Sequence, residues 1–364
     1  MVRLARGDER VLTAHEDLDA DPNLLNVRNG TIDLRTGELH PHAPDDLLTL
    51  QAPIRYDPTA MAPLWRACLE RWQPDPELRE YLQREAGAGA TGHPTETLSI
   101  HFGDGGNGKS KFFGGIQLVL GDYATVPHKS LLVTQRHEQH ETIKADLFRK
   151  RIAIASERKA VDVLDDEQVK SITGGDRMRA RRMREDPWFF WPSHTMVVVT
   201  NFRPAIRGRD EGIWRRVRLI PWTVTIPRAE ADIDLAAKLK HEAPGILLWL
   251  IEGARRFLAD GFEPPASIVA ATENYRADED APTHFVADCL VLGRGFVMSL
   301  GLTQELERWC RDQGLPAMKL REVTHLLVAA GCHTERRAIG GKKCSIWVGV
   351  SIPGDTAFSG ADLL

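Results

Sequence analysis

Cysteine is scarce in this chain. The five thiols, Cys68, Cys289, Cys310, Cys332 and Cys344, are scattered, odd in number and never spaced Cys-x-x-Cys. That pattern excludes a disulfide framework and a zinc ribbon and points to reduced cysteines. Long apolar runs are missing too: no stretch reaches the roughly 18 residues of a membrane span. The polar start Met1-Val2-Arg3-Leu4-Ala5-Arg6 leads into no signal-peptide core. With 42% hydrophobic and 27% charged residues, a cytoplasmic protein with no membrane partner is expected. There is no internal repeat and no low-complexity linker. Clustered metal ligands are also lacking, which weighs against a metal-dependent nuclease. The nearest candidate, His137-Glu138-Gln139-His140-Glu141, sets two histidines three apart in a polar stretch and reads as a solvated loop or helix.

Lysine is rare, 12 residues against 35 arginines, a skew that a GC-rich genome explains as well as function does. The net charge of −4 hides an asymmetry: Lys170 to Ile220 holds twelve basic and five acidic residues, a local +7, leaving −11 for the rest. Such a basic segment is the electrostatic footprint of a polyanion partner.

The most informative feature present is Gly103-Asp104-Gly105-Gly106-Asn107-Gly108-Lys109-Ser110, preceded by the strand-like Leu98-Ser99-Ile100-His101-Phe102. Glycines at these positions let backbone amides close around phosphates, Lys109 reaches the terminal ones, and the Ser110 hydroxyl can sit on Mg²⁺. A helix starting there adds its positive dipole end. ATP and Mg²⁺ are therefore the expected ligands.

Strand and helix patterns alternate around this loop. Strands are expected over Leu98–Phe102, Arg151–Ser156 and Thr195–Thr200, with helices over Lys109–Leu120 and Asp166–Thr173. This predicts an α/β core with a mostly parallel sheet and flanking helices. Before it, Leu25 to Val27 and Thr31 to Leu34 flank an Asn29-Gly30 turn, and two helices divided at Pro74 and Pro76 complete a small α+β domain. After it, helices are expected over Asp232–His241 and Gly245–Asp260. Helices over Thr303–Gln313 and Lys319–Ala330 then precede a hairpin, Glu335–Ala338 with Cys344–Ile352, tipped by Gly340-Gly341-Lys342-Lys343. That order suggests a C-terminal winged helix. The expected division is a tail over 1–23, the α+β domain over 24–95, the ATPase core over 96–226, a helical lid or bundle over 227–286, the winged helix over 287–352 and a tail over 353–364.

Chemistry downstream must decide what the loop drives. Glu157 ends an apolar strand where a carboxylate can orient water toward the γ-phosphate, although an acid where a strand leaves a sheet is also ordinary. One residue earlier, Ser156 stands where an Mg²⁺-linked acid is often found, leaving the metal to Ser110, phosphate oxygens and water. Asn201, after the third strand, suits a γ-phosphate sensor and equally a turn. Arg216, with Arg215 in reserve, is placed to serve a neighbouring subunit's nucleotide; a solvated basic patch is the plainer alternative. Between the second and third core strands, Arg177, Arg179, Arg181, Arg182 and Arg184 precede Asp186-Pro187 and Trp188-Phe189-Phe190-Trp191. This reads as a basic hairpin inserted in the core, its arginines gripping nucleic-acid phosphates and its aromatics anchoring it. Lys342 and Lys343 are the C-terminal DNA-binding candidates.

The order of these segments resembles the superfamily 3 helicases, and more narrowly the helicase part of phage, plasmid and poxvirus-type primase-helicases. The residues that carry the resemblance are Asn29-Gly30 with Asp33-Leu34-Arg35-Thr36-Gly37-Glu38-Leu39, Gly103 to Ser110, Ser156-Glu157, Lys170, Thr173-Gly174-Gly175-Asp176 with Arg181, Thr200-Asn201, and Gly212-Ile213-Trp214-Arg215-Arg216. Spaced matches run from about Leu25 to Pro221, somewhat over half of the chain. The resemblance implies an AAA+-like ATPase that assembles as a ring, usually a hexamer, around single-stranded DNA and unwinds duplex ahead of a replication fork. In that scheme Lys109 and Ser110 hold phosphates and Mg²⁺, Glu157 also stands beside the metal and activates water, Asn201 senses the γ-phosphate, and Arg216 is the trans arginine. Arg179 to Arg184 line the pore. Many such relatives carry a primase domain far upstream, while this chain begins just before the Asn-Gly segment. No priming activity is therefore ascribed to it: either priming sits on another chain, a separate primase or polymerase, or this is a stand-alone helicase or a truncated product; a bacterial host cytoplasm is expected. The alternative is an ATP-switched DNA-binding or initiator module without unwinding activity. A small-molecule kinase would leave the basic hairpin and paired arginines without a role.

Overall fold

A computed structural model describes residues 13, 16–134, 141–156, 163–206, 211–313, 315, 317–339 and 342–353. Glu157, the His137 to Glu141 motif up to His140, Gly340-Gly341 and most of both expected tails lie outside the described residues. The chain divides into two compact units, 1–273 and 274–364, and the division falls within the helix Ala266–Cys289.

In the first unit, the Asn29-Gly30 turn joins β1 (Leu24–Val27) to β2 (Gly30–Asp33), and β3 (Glu38–His40) adds antiparallel to β2. Leu25, Val27, Ile32 and Leu34 are buried. The helices Pro63–Trp72 and Pro76–Ala88 each begin at proline, where a missing N–H costs nothing. Asp75 caps the second by accepting from the Glu77 amide at 2.9 Å. That second helix lies against Ala243–Asp260 with the backbones almost touching. A Cβ on Gly253 would come within 2.1 Å of the Gln83 carbonyl oxygen, and one on Gly87 within 2.1 Å of the Gly253 carbonyl carbon.

The central sheet combines β4 (Leu98–Phe102), β5 (Ala124–Thr125) and β6 (Ile152–Ser156) with two later strands. A separate antiparallel hairpin of β7 (Met178–Ala180) and β8 (Trp188–Phe190) intervenes before β9 (Thr195–Thr200) and β10 (Val217–Pro221). The sheet order is β10-β4-β9-β6-β5, parallel throughout. Strands covered on both faces lose the exposed–buried alternation, so Leu98 to His101, with the polar Ser99 and His101 among them, and Met196 to Val198 are all buried. Pro221 is tolerated because β10 is an edge. The helices Lys109–Leu120 and Asp166–Thr173, β4 and β9 fall where the sequence places them. β6 begins one residue later than expected, and β5, β10 and the long helix Ala266–Cys289 are additions.

The second unit has its own core, with Phe285, Leu306, Trp309, Val323, Leu327 and Trp347 buried together. Helices Ser299–Asp312 and Leu320–Ala329 accompany an antiparallel sheet in the order β11-β13-β12, where β11 is Val291–Met298, β12 His333–Ile339 and β13 Lys342–Ser351. The expected hairpin is present and longer than anticipated, whereas β11, whose apolar residues are interrupted by Gly293-Arg294-Gly295, is an addition. Among the described residues no helix is long and apolar enough to cross a membrane.

Gly253→Ala forces the two packed helices apart, since neither backbone can yield 1 Å cheaply. It is expected to lower unfolding free energy by about 1–3 kcal/mol, read as a lower urea midpoint at unchanged m value.

Candidate functional site

The loop after β4 is held by the Trp72 indole and by the backbone carbonyl of Trp222. Gly108, at φ +92°, lies against Trp72, and a Cβ there would come within 2.3 Å of the indole ring. A side chain at this position meets both a steric block and a left-handed backbone. Asn107 is buried, and its amide donates to the Trp222 carbonyl at 3.2 Å and to the Asp104 carbonyl. Neither Trp72 nor Trp222 was singled out as functional from sequence. Only their adjacency to Gly108 and Asn107 in space reveals the role.

Lys109 is buried, and its Nζ donates to the carbonyls of Gly103 and, at 3.3 Å, Asp104. Burial pushes its ammonium down to about 8, against a smaller opposing pull from Asp104. The helix that Lys109 opens has no acidic residue in its first turn, so its positive end is free for an anion.

The carboxyl ends of three neighbouring strands meet this loop. A cavity of about 520 Å³ is lined by Lys109, Ser110, Ser156, Thr200, Asn201 and Phe202, among others. Ser110 is exposed at its edge, Ser156 ends β6, and Asn201 follows β9. The Thr200 hydroxyl donates to the Phe202 carbonyl at 2.7 Å and accepts from the Phe202 amide at 3.0 Å, turning the chain so that Asn201 is exposed. Open parallel sheets bind ligands outside these strand ends. Among the described residues no group of three His, Cys, Asp or Glu is placed to hold a metal. A magnesium ion would find the exposed Ser110 hydroxyl here, beside phosphate oxygens and water, an oxygen set that suits it.

Arg215 and Arg216 are not at this cavity. They form the turn between the short helix Glu211–Trp214 and β10, not a strand, so alternation of faces does not separate them. The Arg216 carbonyl accepts from the Leu98 amide at 2.7 Å, which sets both at the amino end of the sheet. The loop lies at the other end of β4, roughly 15 Å away at strand rise. Arg215 is exposed; Arg216 is half-buried, and its Nη1 donates to the Gly212 carbonyl at 2.7 Å.

Arg177, Arg179, Arg181, Arg182 and Arg184 are all exposed on the β7–β8 hairpin, with Arg184 at φ +64° in its tip. Arg179 pairs with Glu141 at 3.2 Å, and Arg181 Nε donates to the Glu185 carbonyl at 3.0 Å. The aromatics divide. Trp188 and Phe190 anchor the hairpin on Phe148, with ring centroids at 5.9 and 5.4 Å. Phe189 and Trp191 do not: they are 53% and 65% exposed, because alternation turns them to the opposite face. In the second unit Lys343 is exposed near the start of β13.

A parallel sheet with a glycine-rich phosphate loop at its carboxyl edge makes this a P-loop-like α/β core. Two family models match the chain, "D5 N terminal like" over residues 1–74 and a family of unknown function, DUF5906, over residues 101–216. A protein of Acanthamoeba polyphaga mimivirus that bears the provisional name of helicase is 28% identical over 81% of this chain and 34% of its own length. An African swine fever virus protein provisionally named a primase is 27% identical over 56% of this chain and 22% of its own. The solved apo structure of the NrS-1 C-terminal region aligns with a TM-score of 0.49 and 11% identity, covering 91% of this chain and 83% of that one. These matches support a D5-type primase-helicase family, and the chain spans about a third or less of the length of the curated relatives it matches.

Binding of a phosphate ligand at this loop would be pH-dependent through Lys109. A phosphate anion favours the ammonium, which in the free protein is lost as pH rises through about 8. Affinity for ATP is expected to be flat below neutrality and to fall by up to about tenfold per pH unit above 8. Calorimetry in buffers of different ionisation enthalpy should show proton uptake on binding at pH 9, absent in Lys109→Arg.

Proposed function

We propose that the chain is an ATP-driven DNA helicase motor of the superfamily 3 type, with an AAA+-like core, working as a ring at the replication fork of a phage, plasmid or other mobile element. The observation that carries this reading is the single cavity in which Lys109, Ser110, Ser156 and Asn201 converge from three adjacent strand ends. In it, Lys109 holds the terminal phosphates, the helix amino end faces their charge, and Asn201 hydrogen-bonds the γ-phosphate or the attacking water. Glu157, the residue after Ser156, takes the proton of that water. Bound magnesium supplies neutralisation of phosphate charge during hydrolysis.

The far position of Arg215 and Arg216 supports action in trans. Neither can serve its own loop, so each is useful only to the nucleotide of a neighbouring copy, and a closed ring, usually a hexamer, gives every subunit such a neighbour. Arg215 is the more available side chain. The five hairpin arginines are the contacts for a single strand in the pore. The two helices and the β12–β13 hairpin support a winged helix, with Lys342 and Lys343 as its DNA contacts. Likeness to a protein provisionally named a primase supports a separate priming activity as the partner; the host cytoplasm is the place of work in this reading.

Steady-state ATP hydrolysis with and without single-stranded DNA tests the motor. Wild type is expected to be stimulated by DNA, and Lys109→Ala and Glu157→Gln to lose turnover by roughly a hundredfold or more. ATP binding without turnover, indifferent to DNA, would replace the motor by an ATP-switched DNA-binding or initiator module.

Subunit mixing tests the trans arginine. Lys109→Ala and Arg215→Ala or Arg216→Ala proteins, each inactive alone, should regain part of the ATPase when mixed, because one supplies the loop and the other the arginine. No recovery with either arginine variant would remove both from the reaction.

A further inference from the structure

The outward face of the β7–β8 hairpin carries more than phosphate contact requires. Its strands are in register with Arg179 opposite Phe189, and Arg177 and Trp191 extend that register by one pair. Alternation turns Met178, Ala180 and Phe190 inward, where all three are buried, and leaves Arg177, Arg179, Phe189 and Trp191 outward. The Arg177 guanidinium stands 5.7 Å from the Phe189 ring centroid and 5.9 Å from that of Trp191. A cavity of about 380 Å³ opens against these rings, with Arg149, Arg151 and Arg177 facing Glu16 and Asp19 among its charged lining.

Two large rings held mostly in water are unfavourable unless something covers them. A hairpin needed only for its shape would carry polar residues there. The covering partner must also accept two outward guanidiniums, with Arg181, Arg182 and Arg184 following at the tip, of which only part is balanced by Glu141 and Glu185. A polyanion that presents flat π-faces satisfies both demands, and single-stranded nucleic acid is that chemistry. A second copy of this chain would supply apolar cover without answering the charge.

We propose that Phe189 and Trp191, with the Arg177 guanidinium over them, form a base-stacking platform for single-stranded DNA. The ligand rests on the helicase reading above. The mode goes beyond it: the hairpin grips bases through its strand face as well as phosphates through its tip. Stacking is tolerant of sequence because every base has a π-face.

Fluorescence anisotropy with a labelled oligothymidine and with an abasic strand of equal length, at several salt concentrations, separates bases from phosphates. Phe189→Ala and Trp191→Ala should each weaken oligothymidine binding by roughly tenfold, with the salt slope and abasic affinity unchanged. Trp191→Phe should recover most of the loss. Arg177→Ala should weaken both strands and reduce the salt slope by about one. Both rings being exposed, the alanine variants should keep the wild-type unfolding midpoint. Equal losses on both strands, or none, overturn the platform while leaving the helicase reading in place. Loss of self-association by the ring variants, with strand affinity per protomer intact, assigns the face to a second copy instead. Wild type that binds neither strand overturns the helicase reading and the platform together.

Discussion

Everything at the nucleotide end depends on an aromatic clamp. Trp65 stacks on Phe112 at 5.6 Å and meets Trp72 and Trp249 edge-on at 6.0 and 5.5 Å, while Phe112 also touches Trp222 at 5.6 Å. These rings come from the first helix, the helix after the phosphate loop, the segment after β10 and the helix Ala243–Asp260. Trp72 then presses on Gly108, and the Trp222 carbonyl fastens Asn107. A loop of glycines has no stiffness of its own. Its open shape is imposed by the rings beneath it, so the N-terminal helices are part of the site without contributing a chemical group to it.

The parallel sheet separates two kinds of work. Its carboxyl end holds the phosphate loop, Ser156 and Asn201; its amino end holds Arg215 and Arg216 and receives the hairpin. β9 joins the ends directly, since β8 stops at Phe190, β9 starts at Thr195, and Asn201 follows its last residue. β9 is hydrogen-bonded to β4 on one side and β6 on the other. A six-residue strand so held spans about 20 Å, so one hydrogen-bonded strand is the shortest path along the chain from Asn201 to the hairpin.

The sequence was most readable where one signal dominates. The buried strands β4 and β9 are mostly apolar, the helix Lys109–Leu120 follows the glycine-rich loop and Asp166–Thr173 is capped by Asp165, and their limits coincide with the structure. β10 was obscured by Arg218 and Pro221, which an edge strand tolerates, and the helix Ala266–Cys289 by its internal Pro282 and weak apolar period. At the site, loop residues and strand ends were legible because their chemistry is local. The clamp was not, because Trp72 and Trp222 meet the loop only through tertiary packing. The aromatic run 188–191 was misjudged as one anchor since composition does not show faces: period two makes two of its rings structural and two free.

The ammonium of Lys109 explains why the clamp must be firm. Burial disfavours its charge, and among the described residues its hydrogen bonds go to loop carbonyls, whose dipoles compensate an ammonium less well than an anion does. A slack loop would relieve this by letting the side chain swing into water, and the phosphate cradle would close. Held by Trp72 and Trp222, Lys109 keeps its desolvated position, where, in the function proposed, a phosphate would supply the interaction that the loop alone leaves incomplete.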